Sequence, residues 1–145
     1  MMLKMQKVSK PKMLILLIAK YSFYFLGWLW TLKPRKVESM NDVLNLFYIK
    51  FLRLRESDIE VVKLDDRELI TRAKNPCPIL KLSLILKIDT KISCKIISEP
   101  VCIYVLRKLN PKLKFERNYN HIRPYSESCE ERIYLQNEST AVGNV

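Results

Sequence analysis

Glycine is nearly missing from this chain: Gly27 and Gly143 are the only two among 145 residues. Turns that cradle phosphates or dinucleotides need glycines so that backbone N–H groups can approach phosphate oxygens. A hydrolase nucleophile elbow needs them on either side of its serine. Histidine is scarcer still, with His121 alone, so the paired-histidine zinc motif of a helix cannot be built. These absences exclude classical nucleotide enzymes and zinc metalloproteases. No segment is of low complexity, so disorder is expected only at the ends.

Acidic residues are also missing from one region. The first 36 positions hold eight Lys or Arg and no Asp or Glu, whereas the other 109 hold 18 basic and 15 acidic side chains. Most of the net charge of +11 therefore belongs to the N-terminal segment and not to a groove of the folded body. Nucleic-acid binding is not expected, because it wants Lys and Arg on one face of the domain beside aromatics or a recognised motif. Acidic lipid headgroups would respond to the same basic segment.

What is present begins with an apolar run, "MLILLIAKYSFYFLGWLWTL" at 13–32, flanked by lysines. No small-residue cleavage site follows it and "KPRK" comes next, so a signal peptide is not expected. As a membrane span it balances about ten Leu, Ile and Phe at roughly −0.3 to −0.6 kcal/mol each against Lys20 at roughly +2.5 to +3.5 kcal/mol. Lys20, Tyr24, Gly27 and Thr31 recur at helical spacing as a narrow polar stripe. The preferred reading is a helix of a cytoplasmic protein, buried by the domain or by a partner in a homodimer. Membrane association through 13–32 stays open beside it.

Length fits a single domain with a real core: a basic tail at 1–12, an α+β domain at 13–135 and a flexible tail at 136–145. "SMNDVLNLFYIKFLRLR" reads as a second helix capped by Ser39 or Asn41, with Val43, Phe47, Phe51 and Leu54 on one face. "DIEVVKL" and "RELITRAK" read as strands joined at Asp65 and Asp66. "LKLSLILKI" alternates like a strand, yet Pro78 suits a first helical turn. A short helix capped by Asp89 or Thr90 and running to Ile97 follows, then a separate helix capped by Ser98 with Pro100 in its first turn. "KLKFERN" and "CEERIYLQ" are the last strands. With the helix option taken after Pro78, the order is helix-helix-strand-strand repeated twice, an antiparallel sheet packed on helices.

The chemistry-bearing residues are four cysteines and one loop. Cys77, Cys94, Cys102 and Cys129 are separated by 17, 8 and 27 positions, with no close pair of the zinc-knuckle or redox kind. Cys102, between Val101 and Ile103, reads as core. Cys77, Cys94 and Cys129 are the candidate catalytic positions. A reactive thiolate needs positive charge beside it, which Arg117 and Arg123 could supply. Glu130 and Glu131 would oppose it unless alternate strand faces separate them from Cys129. In "RNYNHIRPYSESCEE", Arg117, Tyr119, His121, Arg123 and Tyr125 are candidate ligand-binding residues, the arginine forks suiting a carboxylate. The competing reading pairs those arginines with Glu116, Glu127 or Glu130. His121 as a general base for a thiol is the weakest element, since nothing places it near one. No metal ligand set is expected and the cofactor is unknown.

"NPCPIL", "IDTKISCK", "EPVCIYVLRKLNPKLKFERNY" and "IRPYSESCEE" resemble a group of small archaeal-type proteins similar to the L-2-amino-thiazoline-4-carboxylic acid hydrolase family. More distantly the chain resembles 4-vinyl reductase domains, whose fold is shared with transport protein particle (TRAPP) subunits. The resemblance spans 13–135 and implies a TRAPP-like fold dimerising through its N-terminal helices, with Cys77, Cys94 and Cys129 near a pocket. It implies hydrolytic opening of a thiazoline-type or other small sulfur-containing organic acid, or binding of a small organic acid or apolar molecule. A non-catalytic dimeric or membrane-associated scaffold is the alternative. With one histidine, the chain departs from any mechanism that needs two imidazoles.

Overall fold

The computed structural model of the chain describes residues 8–33 and 35–136. Residues 137–145 of the expected tail at 136–145, and 1–7 of the basic tail at 1–12, lie outside the described residues. Helix α1, Lys10–Thr31, starts after an extended Ser9 with Pro11 in its first turn, where a missing N–H costs nothing. Helix α2 covers 40–51. Ser39 caps it: Asp42 N donates to the Ser39 hydroxyl at 3.2 Å, and the Asp42 carboxylate accepts from the Ser39 N–H at 3.2 Å. From Leu44 to Phe51 its turns widen to π-helical, and Leu52 N reaches back to Phe47 O at 2.9 Å.

Strands β1 (Ile59–Leu64) and β2 (Glu68–Ala73) pair antiparallel. Their turn lacks glycine because Asp65 substitutes a side chain: its carboxylate accepts from the N–H groups of Arg67 at 2.9 Å and Glu68 at 2.8 Å. Helix α3, Pro78–Leu86, takes the helical option. Its leucines and isoleucines alternate with polar residues, but nine residues opened by proline fold locally before any strand partner is at hand.

Helix α4 covers 90–109 without a break: an α-helical turn Thr90–Ser93, π-helical Cys94–Ser98 and α-helical Glu99–Leu109. Here the expectation of two helices is corrected. Ser98 has helical dihedrals and makes no cap. Pro100 is absorbed because the widened turns before it leave no tight ladder for its missing N–H to break. Strands β3 (Leu113–Arg117) and β4 (Cys129–Leu135) complete a four-stranded antiparallel sheet of order β1-β2-β4-β3. The architecture is α+β, with four helices among the described residues.

Strand register sorts the sheet into two faces. Towards the helices stand three rows: Leu69, Ile133 and Phe115; Thr71, Glu131 and Arg117; and Ala73 with Cys129. The opposite face carries a charge ladder, Arg132 with Glu68 and Glu116, and Arg72 with Glu130. The first inner row joins Phe47, Val105 and Leu106 in the main core, and a second apolar cluster gathers Leu16, Ile79, Ile97 and Ile122.

Helix α1 packs on α4 through Gly27. A Cβ there would lie 2.9 Å from Val105 Cγ2, so only glycine permits this approach. The helix is inverted relative to an ordinary amphipathic helix. Its sparse polar stripe faces the domain, while Leu14, Ile18, Tyr21, Phe25 and Leu32 point outward, each more than half exposed. Only Leu16 and Gly27 are buried by the chain itself.

Candidate functional site

A cavity of about 590 Å³ lies between the two apolar clusters, within the range of small-molecule sites. Its roof is α1, through Phe23, Leu26 and Trp30; its floor is the inner face of the sheet. The two π-helical segments supply Tyr48 and Phe51 on one side and Cys94, Ile97 and Ser98 on the other. Widened turns shift side chains off the α-helical stripe, and such segments recur at functional sites.

All four cysteines border this cavity, and each is a free thiol. Cys94 and Cys102 are buried, and burial pushes their thiols up from an ordinary 9.0 to about 11 and about 12. Both are neutral and chemically quiet at physiological pH. Cys102, read from sequence as core, is core and cavity wall at once. Cys77 is half-buried at the start of α3 between two prolines. Cys129 is different. Its sulfur accepts two N–H groups from Arg123, the backbone N at 3.4 Å and the guanidinium Nε at 3.3 Å.

Arg123 is held from three sides. Its Nη1 donates to Asn75 O at 2.5 Å, its Nη2 to Asn75 Oδ1 at 3.4 Å, and its carbonyl accepts from Thr90 Oγ1 at 2.7 Å. Every partner is neutral. Among the described residues no carboxylate pairs with Arg123, so its positive charge stands uncompensated in the cavity wall.

Arg117 differs in this respect. Opposite Glu131 in the sheet, it forms a buried ion pair through Nη2 and Glu131 Oε2. Nη1 donates to Ser98 Oγ at 2.9 Å. Tyr48 Oη donates to Glu131 Oε1 at 2.8 Å and accepts from Thr71 Oγ1 at 3.0 Å. Burial and the neighbouring Glu131 carboxylate raise the Tyr48 phenol well above its ordinary value. Burial disfavours the Arg117 cation, but Glu131 beside it holds the guanidinium protonated. The Nε of Arg117 is buried and has no partner among the described residues. The competing sequence reading paired these arginines with Glu116, Glu127 or Glu130; Arg117 instead pairs with Glu131, because β4 turns Glu130 to the opposite face. Glu131 and Tyr48 are the site residues that sequence reading missed. The signal was present in β4, where Cys129, Glu131 and Ile133 share a face by alternation.

Three candidates from the 117–131 segment do not line this cavity. Tyr119 donates to Glu99 Oε1 at 2.5 Å. The His121 imidazole Nε2 meets Ser128 Oγ at 2.9 Å and no thiol. Tyr125, exposed, donates to Asp89 Oδ1 at 2.8 Å. These three pin the loop to α4 and to its own base, which fixes Ile122 and Arg123 against the cavity. No cluster of three His, Cys, Asp or Glu side chains able to hold a metal exists among the described residues.

The lining carries four cations, Lys50, Arg53, Arg117 and Arg123, against one carboxylate, Glu131. A local positive excess thus exists inside the body, which the segment-level charge count did not foresee. Comparison of the chain with protein-family models, curated proteins and solved structures gives no match.

Proposed function

We propose that this protein is a small-molecule-binding domain whose cavity takes a small organic acid, apolar body between the helices and sheet, anionic group at Arg123. The observation that carries the reading is the guanidinium of Arg123, met only by neutral groups, in the wall of a mainly apolar cavity. An anionic group entering the cavity finds there a half-buried cation with no competing carboxylate among the described residues. On this reading the TRAPP-like, twice-repeated arrangement of 13–135 is the fold-level counterpart, and four free cysteines fit a cytoplasmic location.

The donors at Cys129 favour a second reading of the same cavity, cysteine-dependent hydrolysis of a thiazoline-type acid. The Cys129 sulfur would bond to the ring carbon between nitrogen and sulfur, its proton passing to the ring. The ring C–S bond breaks with its electrons going to the ring sulfur, which takes a proton. Water then displaces the Cys129 sulfur from that carbon, consuming one water overall. Cys77 and Cys94 would border the ring without bonding to it.

Iodoacetamide labelling followed by mass spectrometry tests cavity occupancy. Cys129 and Cys77 label at pH 8, Cys94 and Cys102 resist, and saturating octanoate slows Cys129 labelling at least tenfold. An unchanged Cys129 rate in octanoate would sink the proposal.

A further inference from the structure

The outward face of α1 is the largest feature that the cavity leaves unexplained. Leu14, Leu17, Ile18, Tyr21, Phe25 and Leu32 form one stripe, broken only by Ser22, over 19 residues that end on the C-cap, about 27 Å along the helix axis. Such a stripe on a soluble surface marks an interaction site. By length and composition α1 is long and apolar enough to cross a membrane, but its opposite face is committed: Gly27 is seated on Val105, and Phe23 and Trp30 roof the cavity. The helix can keep those contacts only by lying flat.

Charge selects the occupant. The exposed Lys10 and Lys33 bracket the stripe, with Lys12 in the first turn and the exposed Lys36 beyond its end, and the first 36 residues hold no acid. Lys10 and Lys12 sit where the helix dipole itself disfavours cations, so they do not serve the helix. Two copies meeting through this face would bring these uncompensated segments together. An anionic lipid surface complements them, and Tyr21 and Trp28 on the outward side suit the headgroup boundary.

We propose that α1 lies in the plane of an anionic lipid surface, apolar stripe down, and that the cavity opens beside that surface. Leu26, half exposed, borders both the cavity and the groove along the stripe, so an amphipathic acid leaving the lipid meets the cavity at that residue. The loading route rests on the cavity reading above; the docking does not.

Vesicle flotation of the full chain tests it, using phosphatidylcholine alone and phosphatidylcholine with 30% phosphatidylglycerol as the two arms. The chain floats with the anionic vesicles and at least tenfold less with the neutral ones. Ile18→Ser/Phe25→Ser abolishes flotation. Lys10→Gln/Lys12→Gln/Lys33→Gln lowers the partition coefficient roughly fivefold per charge, about a hundredfold in all. The substituted positions lie on the helix surface, and unchanged circular dichroism certifies the fold. Arg123→Gln floats like the unsubstituted chain, which separates a failure of docking from a failure of the cavity reading. Equal flotation with both vesicles overturns the proposal. So does a lipid-free dimer that the Ile18/Phe25 variant dissociates and that binds neither vesicle.

Discussion

Single residues decide what this cavity can hold. Arg117 and Glu131 cancel each other, whereas Arg123 is met only by amide, carbonyl and thiol groups, so two arginines six positions apart have opposite meanings. Removing one member of a buried pair strands the other charge. Arg117→Met is expected to cost roughly 3–5 kcal/mol in urea unfolding, and Arg117→Met/Glu131→Leu to recover most of it. A single variant as stable as the parent would show that the pair is not buried as described. The sequence drew attention to the arginines and to Cys129 through their crowding into one segment. It could not say that His121 would turn to Ser128, because in a loop successive side chains follow no fixed period. Glu131 was within reach, since strand alternation puts it beside Cys129 and Ile133, but a glutamate on a core face runs against the usual pattern.

At the scale of elements, α1 carries a pattern whose orientation the sequence left open. The stripe of Lys20, Tyr24, Gly27 and Thr31 is real, yet it faces the domain, because the glycine within it is what lets α4 come close. Gly27→Leu is expected to cost about 3 kcal/mol through overpacking against Val105, read as a lower urea midpoint. An unchanged midpoint would mean that the two helices do not approach at Gly27. The strands were legible from period and bounding turns, whereas the segment after Pro78 read as strand by period and as helix by its proline, and the fold takes the helix. The continuity of α4 through Ser98 and Pro100 was not legible. Serine two residues before proline is a common helix start, and only the π-helical turns from Cys94 to Ser98 let the helix run through. Those same turns aim Cys94, Ile97 and Ser98 at the cavity, so the irregularity hidden from the sequence is also what shapes the site.

For the whole molecule, the main point is that its core is divided. The helices and sheet leave a space between two apolar clusters, and the sheet contributes to that space the Arg117–Glu131 ion pair beside Thr71, flanked by Ala73 and Cys129. Segment-level charge counting placed the basic field at the N-terminus, which is true of the chain and incomplete for the fold. Four cations converge on the cavity, Lys50 and Arg53 from the end of α2 and just beyond it, Arg117 and Arg123 from β3 and the loop before β4, two pairs from opposite halves of the chain. The central claim is that this space holds an organic anion at Arg123. Calorimetric titration with octanoate and with its uncharged counterpart octan-1-ol tests it most directly, on the parent chain and on Arg123→Gln. Octanoate is expected to bind the parent more tightly than the alcohol by roughly 1.5–3 kcal/mol, the value of a hydrogen bond to a charged group, and Arg123→Gln to erase that difference while leaving the alcohol unchanged. Equal affinity of the parent chain for acid and alcohol, or an acid preference that survives in Arg123→Gln, would contradict the account.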